Sequence, residues 1–500
     1  MSTATALPAA GQGYKGNDKA LLGIVLGVVT FWLFAGTIGT VARSVLTDIN
    51  GGTIDAVTNP YVNLDQMNLA VSITALFSGL FIVFFGGLAD RIGRVRIAIT
   101  GNILSIIGGV LVVLAKGDLS LPLLLSGRAI QGLSAACIMP ATMALVKTYW
   151  DGAERQRAVS MWSIGSWGGS GFAALFGGFV ATNFNWRYIF YASIVISVIS
   201  ILLIRGIPES KAEGQHKRFD AAGFAVFFVT VLAMMIVLIF GRQMGWTQPR
   251  TLGLIAVAVA GSVIFYLLER RKDNPFIDFG LFKNTTFTGA TLSNFLLNGT
   301  IGLLIVSQQM LQIARPELFD PWRAGILTIG YAVAIVLFIR LGERLLRMFG
   351  PRKPMIWGSM IVATSCILLM PTNLLVGQYT VLAVIAYALF GLGLAFYATP
   401  STDAALSNLP PAQAGAGAGI YKMASSLGGA IGAALSLTIF TSFLGGGATI
   451  VGELLEMQGI QENIAVRQAG MVTMMFNLVL ALIAIISIMS TVPKGKKYYD

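Results

Sequence analysis

Long runs of apolar residues alternate with short polar breaks along almost the whole chain. The runs fall at about residues 20–42, 66–88, 97–116, 122–146, 158–182, 186–206, 220–241, 250–269, 286–313, 323–346, 354–371, 376–401, 415–443 and 467–491. Each is long enough for an α-helix to cross the hydrocarbon core of a bilayer. The pattern predicts an all-α polytopic membrane protein with fourteen spans.

The second and third runs are separated only by Gly86-Gly-Leu-Ala-Asp90-Arg91-Ile-Gly93-Arg94-Val-Arg96. So short a break predicts a tight turn at a membrane face, with Gly93 supplying the backbone freedom. Asp90 is expected where the next helix begins, since unpaired N–H groups there favour a carboxylate. The three arginines hold the turn in water. A simple basic hairpin would need arginines but no such fixed spacing of glycine, aspartate and arginine.

Charge sets the orientation. With residue 1 inside, Lys and Arg concentrate in the inner segments, such as Lys15, Lys19, the 86–96 turn and residues 270–272. That bias predicts both termini in the cytoplasm and a multi-pass protein of the cell membrane. The first outer loop, 43–65, is acidic (Asp48, Asp55, Asp65) and carries an Asn50-Gly51-Gly52 turn. The outer loop 444–466 holds a stretch, Val451–Ala465, suited to a surface amphipathic helix.

Composition removes other classes. The chain is 55% hydrophobic and 11% charged, whereas soluble domains carry about 25% charged residues. Its net charge of +12 sits beside apolar runs, so no nucleic-acid partner is expected. Cys137 and Cys366 lie inside apolar spans and His216 is the single histidine. No metal site, cofactor or enzymatic centre is therefore expected.

An internal repeat appears at a shift of 260 residues. Met139-Pro140-Ala-Thr142-Met-Ala144 aligns with Thr399-Pro400-Ser-Thr402-Asp-Ala404, and Ser166-Trp-Gly168-Gly169 with Ser426-Leu-Gly428-Gly429. The match predicts two duplicated six-helix bundles, 1–206 and 286–500, with two inserted helices in the linking segment 207–285. Parallel repeats of this kind place a substrate site between the halves, near the bilayer midplane.

Several polar residues inside spans call for a reason. Arg128 lies within the fourth span, where a buried guanidinium needs an interior partner; the other reading is a side chain snorkelling to the interface. Asn294 and Asn298, four apart on the ninth span, either bind helices together or line a wet cavity. Lys422 is read as a cavity charge or a snorkelling side chain, and Asp403 as a partly desolvated acid or a solvated helix end. Glu343 is expected to pair along its helix with Arg340 or Arg347. Trp32, Trp162, Ser166 and Tyr421, with Phe31 and Trp167, are candidates for an aromatic and polar wall.

The Gly86, Asp90, Arg91, Gly93, Arg94 and Arg96 spacing resembles the signature loop of the major facilitator superfamily. Arg128-Ala-Ile-Gln131-Gly132 resembles that family's second motif, and Trp186-Arg187-Tyr-Ile-Phe190 resembles a run found in its fourteen-helix drug:proton antiporters. Thr288–Gly299, Tyr397–Asp403 and Gly419–Gly429 resemble the quinolone-exporting branch of those antiporters. The resemblance implies a monomeric transporter that exchanges amphipathic small molecules for protons by alternating access. It implies proton coupling through Arg128. From the residues themselves, Asp403 is the expected coupling acid and the 86–96 loop, with Asp90, the expected gate latch. Trp32, Trp162, Ser166, Asn294, Asn298, Tyr421 and Lys422 are the expected cavity residues. The alternative within the same fold is a dedicated exporter or importer of one metabolite. Two departures stand out. Ala173-Ala174 replaces a Gly-Pro bend in the fifth span, and the first span has no carboxylate. A second loop copy, Gly342–Lys353, lacks the Asp-Arg pair and reads as structural.

Overall fold

The structure, a computed structural model, describes residues 14–52, 60–150, 154, 157–158, 161–162, 164–211, 220–273, 275–406, 409, 414–444 and 463–494. The side chains of Trp32, Asp90 and Trp167 lie outside the described residues, as do Asp55, His216 and residues 451–462 of the expected surface helix.

The expected spans are helical over most of their described residues. The first is α1 (Asp18–Ala35) with α2 (Thr37–Thr40), and α3 (Ala42–Asn50) continues beyond it. Next come α4 (Leu64–Ile92), α5 (Arg94–Val113), α6 (Ser120–Tyr149), α7 (Gly169–Asn183) and α8 (Arg187–Ile204). The inserted pair is α9 (Ala221–Met244) and α10 (Pro249–Glu269). The last six spans are α11 (Thr285–Gly299) with α12 (Gly302–Ala314), α13 (Pro321–Leu327) with α14 (Ile329–Phe349), α15 (Arg352–Leu369), α16 (Val376–Leu406), α17 (Ala414–Leu444) and α18 (Ile464–Thr491). Eleven helices among the described residues are long and apolar enough to cross a membrane. The chain is a multi-pass, all-α membrane protein.

Packing repeats along the chain. In the first half α1 packs on α8, α5 on α6 and α8, and α4 on α6. The second half repeats those pairings, with α11 on α18, α15 on α16 and α18, and α14 on α16. Between halves, α4 lies along α17 while α7 lies along α13 and α14. These are the same contact seen from the two sides of a pseudo-twofold axis.

Glycines set the closest approaches. A Cβ on Gly108 would stand 2.8 Å from the Gly127 carbonyl oxygen, and one on Gly127 would stand 2.8 Å from that of Gly108. The pair Gly358 and Gly393 has the same reciprocal relation at 2.5 and 2.7 Å. Small residues let helix backbones meet where lipid offers no hydrophobic drive, and the chain uses the device at matching places in both halves.

The first span corrects the expectation of one continuous helix over 20–42. Helix continues past the span as far as Asn50 and breaks at Gly36 and Val41. Partners from far along the chain hold the break. Thr37 Oγ1 donates to the Ala173 carbonyl at 3.0 Å, and the Thr40 carbonyl accepts from Gln312 Nε2 at 3.1 Å. Backbone groups freed inside a membrane must find such partners.

The inserted hairpin α9–α10 leans on α4 and α17. At its base Lys272 Nζ lies 2.5 Å from Asp220 Oδ2 and 3.0 Å from Glu269 Oε1, and Glu269 Oε2 accepts from the Ile277 N–H at 3.0 Å.

Candidate substrate cavity and gates

A cavity of about 170 Å³ lies between the halves. Its wall comes from α1, α2, α4, α6, α7, α11, α12, α14, α16 and α17, with the π-helical turn Ile164–Gly168. Most of the lining is apolar, led by Phe31, Val71, Ile301, Tyr331 and Phe390. The polar exceptions include Ser72, Ser166, Asn298, Gln308, Lys422 and Ser425.

Three of the expected cavity residues, Ser166, Asn298 and Lys422, are on this wall. Three others stand behind it. Asn294 Nδ2 donates to the Tyr421 carbonyl at 3.0 Å and to Ser425 Oγ at 2.6 Å. Its own Oδ1 accepts from Asn298 Nδ2 at 2.9 Å. The two asparagines therefore do both things open to them: one ties α11 to α17 and the other carries the amide chain to the cavity. Trp162 is buried, with Nε1 donating to Thr142 Oγ1 at 3.0 Å. Its ring supports the Lys422 ammonium at 5.4 Å from the centroid, a cation–π arrangement. Tyr421 OH donates to Ser401 Oγ at 2.8 Å, and Ser401 Oγ donates to Tyr397 OH at 2.8 Å. Trp32, as noted, has no described side chain.

Arg128 is fully buried, which settles the choice between interior and snorkelling positions. Its Nε donates to the Ala70 carbonyl at 2.9 Å and its Nη1 to Gln131 Oε1 at 3.0 Å, while its own carbonyl accepts from Thr74 Oγ1 at 2.9 Å. It clasps α4 to α6. Asp403 is half-buried three residues before the end of α16. Arg128 lies in the first third of α6 and Asp403 at the opposite end of the bundle, so the fold does not bring these two into one site.

The 86–96 turn is tighter than expected. Helix α4 runs to Ile92, Gly93 alone makes the turn at φ +132°, and α5 starts at Arg94. Asp90 thus sits in the last turn of α4 and not at the start of the next helix. The carboxylate serving the α5 N-terminus is Glu209, which accepts from the Val95 and Arg96 N–H groups at 2.9 and 3.0 Å. Arg94 donates from its N–H to the Ser210 carbonyl at 3.0 Å and from Nη1 to Thr148 Oγ1 at 2.8 Å. Arg96 is exposed, 3.8 Å from Glu209, and Arg91 is half-buried. Gly86 faces Pro140 across the α4–α6 contact. On the second loop copy, Glu343 pairs with Arg347.

At the far end of the bundle the halves are bonded directly. Besides the Gln312–Thr40 bond, Arg43 Nη1 donates to the Gln312 carbonyl at 2.9 Å, and the Trp322 N–H donates to Thr182 Oγ1 at 3.1 Å. Nearby, Asp48 pairs with Arg187 and accepts from Trp186 Nε1 at 3.1 Å and Asn185 Nδ2 at 3.3 Å. Burial alone pushes the Asp48 carboxyl up, but those hydrogen bonds and the guanidinium charge outweigh it and hold it below the usual carboxylate value. Arg187 also donates to the Val113 and Ala115 carbonyls at 3.1 and 2.9 Å, joining α3, α5 and α8.

Sequence reasoning passed over Glu209 and Gln308. Gln308, Gln309 and Gln312 lie in one apolar span; amides there must face the interior, and that signal would have found Gln308.

Paired six-span halves around a central cavity define a membrane transporter of the facilitator type. The Major Facilitator Superfamily model matches residues 20–433, and the chain belongs to that family. It is similar to the quinolone resistance protein NorB of Staphylococcus aureus (strain MRSA252), with 46% identity over 430 residues, 86% of this chain and 89% of that protein. The D-xylose-proton symporter has the same fold, with a TM-score of 0.65 at 15% identity over 96% of this chain and 98% of that one. The POT family transporter PepTSo is alike too, with a TM-score of 0.65 at 14% identity over 95% and 99%.

Proposed function

We propose that this chain is a proton-coupled efflux transporter for amphipathic drugs and biocides, working as a monomer by alternating access with both termini in the cytoplasm. The observation that carries the reading is the apolar cavity with sparse polar groups between two halves of repeated packing. Similarity to a quinolone resistance protein supports the drug class. The cavity is smaller than the ~300 Å³ at which drug-sized pockets begin, so admitting such a compound requires the halves to part. In this reading residues 1–206 rock against 286–500, while 207–285 follow as a linker. The 86–96 turn, with Asp90, latches the inner gate, and the bonds around Gln312 close the outer one. Arg128 and Asp403 are the proposed coupling groups; they act from opposite ends, Arg128 by holding α4 and Asp403 by exchanging the proton.

The test is substrate-induced pH change in inside-out membrane vesicles that hold a proton gradient, with a panel of unrelated dyes and quinolones. Several of them should dissipate the gradient, and Asp403→Asn should abolish the response. A response to one compound alone would favour the dedicated metabolite transporter. No response to any compound would overturn proton-coupled export.

A further inference from the structure

Two groups of polar side chains stand toward opposite ends of the cavity wall. Lys422 and Ser425 stand on the part of α17 nearer the 86–96 turn, with Asn298 close to them through the amide chain. Gln308 and Ser72 stand toward the far end, on α12 and α4. The rest of the wall is mostly apolar, with Thr40, Ser78, Ser166, Thr328 and Ser426 the polar exceptions. Along α17 the lining extends from Lys422 to Ala433, roughly 16 Å at the helical rise per residue.

The two poles differ in kind. Lys422 is the one charged side chain among the described residues of the wall. Its ammonium rests on the Trp162 ring, with no carboxylate within ion-pair distance among the described residues. Gln308 is fully buried, yet among the described residues neither Nε2 nor Oε1 has a hydrogen-bond partner, and Ser72 Oγ is in the same state. A buried amide left without partners carries a desolvation cost that a ligand can remove. A cationic ligand would meet the Lys422 ammonium and no carboxylate among the described lining residues, and burying a charge without an opposite one is costly.

We propose that the cavity selects acidic or zwitterionic amphiphiles, with a carboxylate docked on Lys422 and a hydrogen-bonding group at the opposite end on Gln308. The inference rests on the efflux reading and narrows its substrate class: an elongated monocarboxylate is taken, and a permanent cation without an acid is refused. Ser425 and Asn298 flank the carboxylate, Ser72 flanks the amide pole, and the aromatic and aliphatic wall covers the body between them.

The experiment measures binding by the full chain in lipid nanodiscs at pH 7, using norfloxacin, its ethyl ester and ethidium. Esterification keeps the body of the compound and removes the carboxylate. Hydrogen bonds to charged groups predict that the acid binds about ten- to a hundredfold more tightly than the ester, with ethidium weakest. Lys422→Gln should bring acid and ester within about twofold of each other, and Lys422→Arg should keep the preference. Gln308→Leu should weaken acid and ester together by about two- to tenfold, the range for a neutral hydrogen bond. Equal binding of acid and ester by the unaltered chain would overturn the inference while leaving drug efflux standing, and so would tightest binding of ethidium. Binding of none of the three would overturn both. The acid–ester comparison on the unaltered chain needs no variant to fold.

Discussion

The Glu209 carboxylate accepts the Val95 N–H at 2.9 Å and thereby closes the N-terminus of α5 from a segment more than a hundred residues away. Its second oxygen takes the Arg96 N–H at 3.0 Å. Free N–H groups and the helix dipole make that end a site for negative charge. Gly93 is bound to the same arrangement. At φ +132° it adopts a backbone conformation that other residues rarely adopt, and an added Cβ would stand 2.4 Å from the Glu209 carboxyl carbon. Gly93→Ala should therefore cost about 1–3 kcal/mol through backbone strain alone, with further loss as the cap is displaced. Glu209→Ala should cost about 0.5–2 kcal/mol, the usual worth of a helix cap. Thermal unfolding of the purified protein checks both, with Gly93→Ala the more damaging.

The closure proposed for the outer gate depends on few bonds. Gln312 donates to the Thr40 carbonyl at 3.1 Å and accepts from Arg43 at 2.9 Å through its own carbonyl. Gln312→Leu removes the first and leaves the second. A single hydrogen bond is worth about 0.5–1.5 kcal/mol, so the outward-open population should rise roughly two- to tenfold. Both native cysteines are buried, which gives a quiet background for thiol labelling. A cysteine at position 72, on the cavity wall, should react faster with a membrane-impermeant maleimide in the Gln312→Leu chain by that factor.

Span order was legible because a membrane forces apolar runs to declare themselves. Asn298 and Lys422 were legible for the same reason, as polar groups in lipid need an inner face. The break at Gly36–Val41 was not. It is held by the Ala173 carbonyl and by Gln312, and nothing local in Gly36-Thr37-Ile-Gly39-Thr40 announces those partners. Glu209 escaped likewise, since an acid just past a helix end reads as solvated until the fold brings α5 beneath it. Asp90 was misplaced by a few residues because Gly93 makes the whole turn by itself, extending α4 through the position where the loop was expected.

Arg128 should separate architecture from coupling. Its guanidinium holds the Ala70 carbonyl and Gln131 in a fully buried place. Arg128→Ala leaves those acceptors without their donor, at about 1–3 kcal/mol for each buried group. The expected result is a clear fall in melting temperature and in membrane yield. Arg128→Lys keeps the charge but loses the fork of donors. It should stay folded with a smaller fall in melting temperature, and vesicle assays on it then report coupling free of the folding defect. Equal melting temperatures for Arg128→Ala and the unaltered chain would contradict the clasp.

The ion pairs at the ends of the bundle predict where pH should have no effect on folding. The Asp48 carboxyl is held below its usual value in the folded chain. Its contribution is therefore complete above the unfolded carboxylate pKa of about 4 and is lost as pH falls below that. Lys272 has the opposite sign. Burial alone lowers its ammonium, but hydrogen bonds to Asp220 and Glu269 and their charges raise it above the ordinary lysine value. Its contribution is complete below the unfolded pKa of about 10.4 and is lost only as pH rises through the folded value. The Asp48 tether is thus at full strength from pH 5 to 8, and the Lys272 ammonium stays charged throughout that window. Melting temperatures of the unaltered chain and Asp48→Asn should run parallel across that window, with the variant lower throughout. The Asp48→Asn difference should shrink only in acid below about pH 4, where the native carboxyl is itself protonated. A variant curve that converges on the unaltered one between pH 5 and 8 would show that its tether titrates there, and would remove the ion pair as the source of the stability.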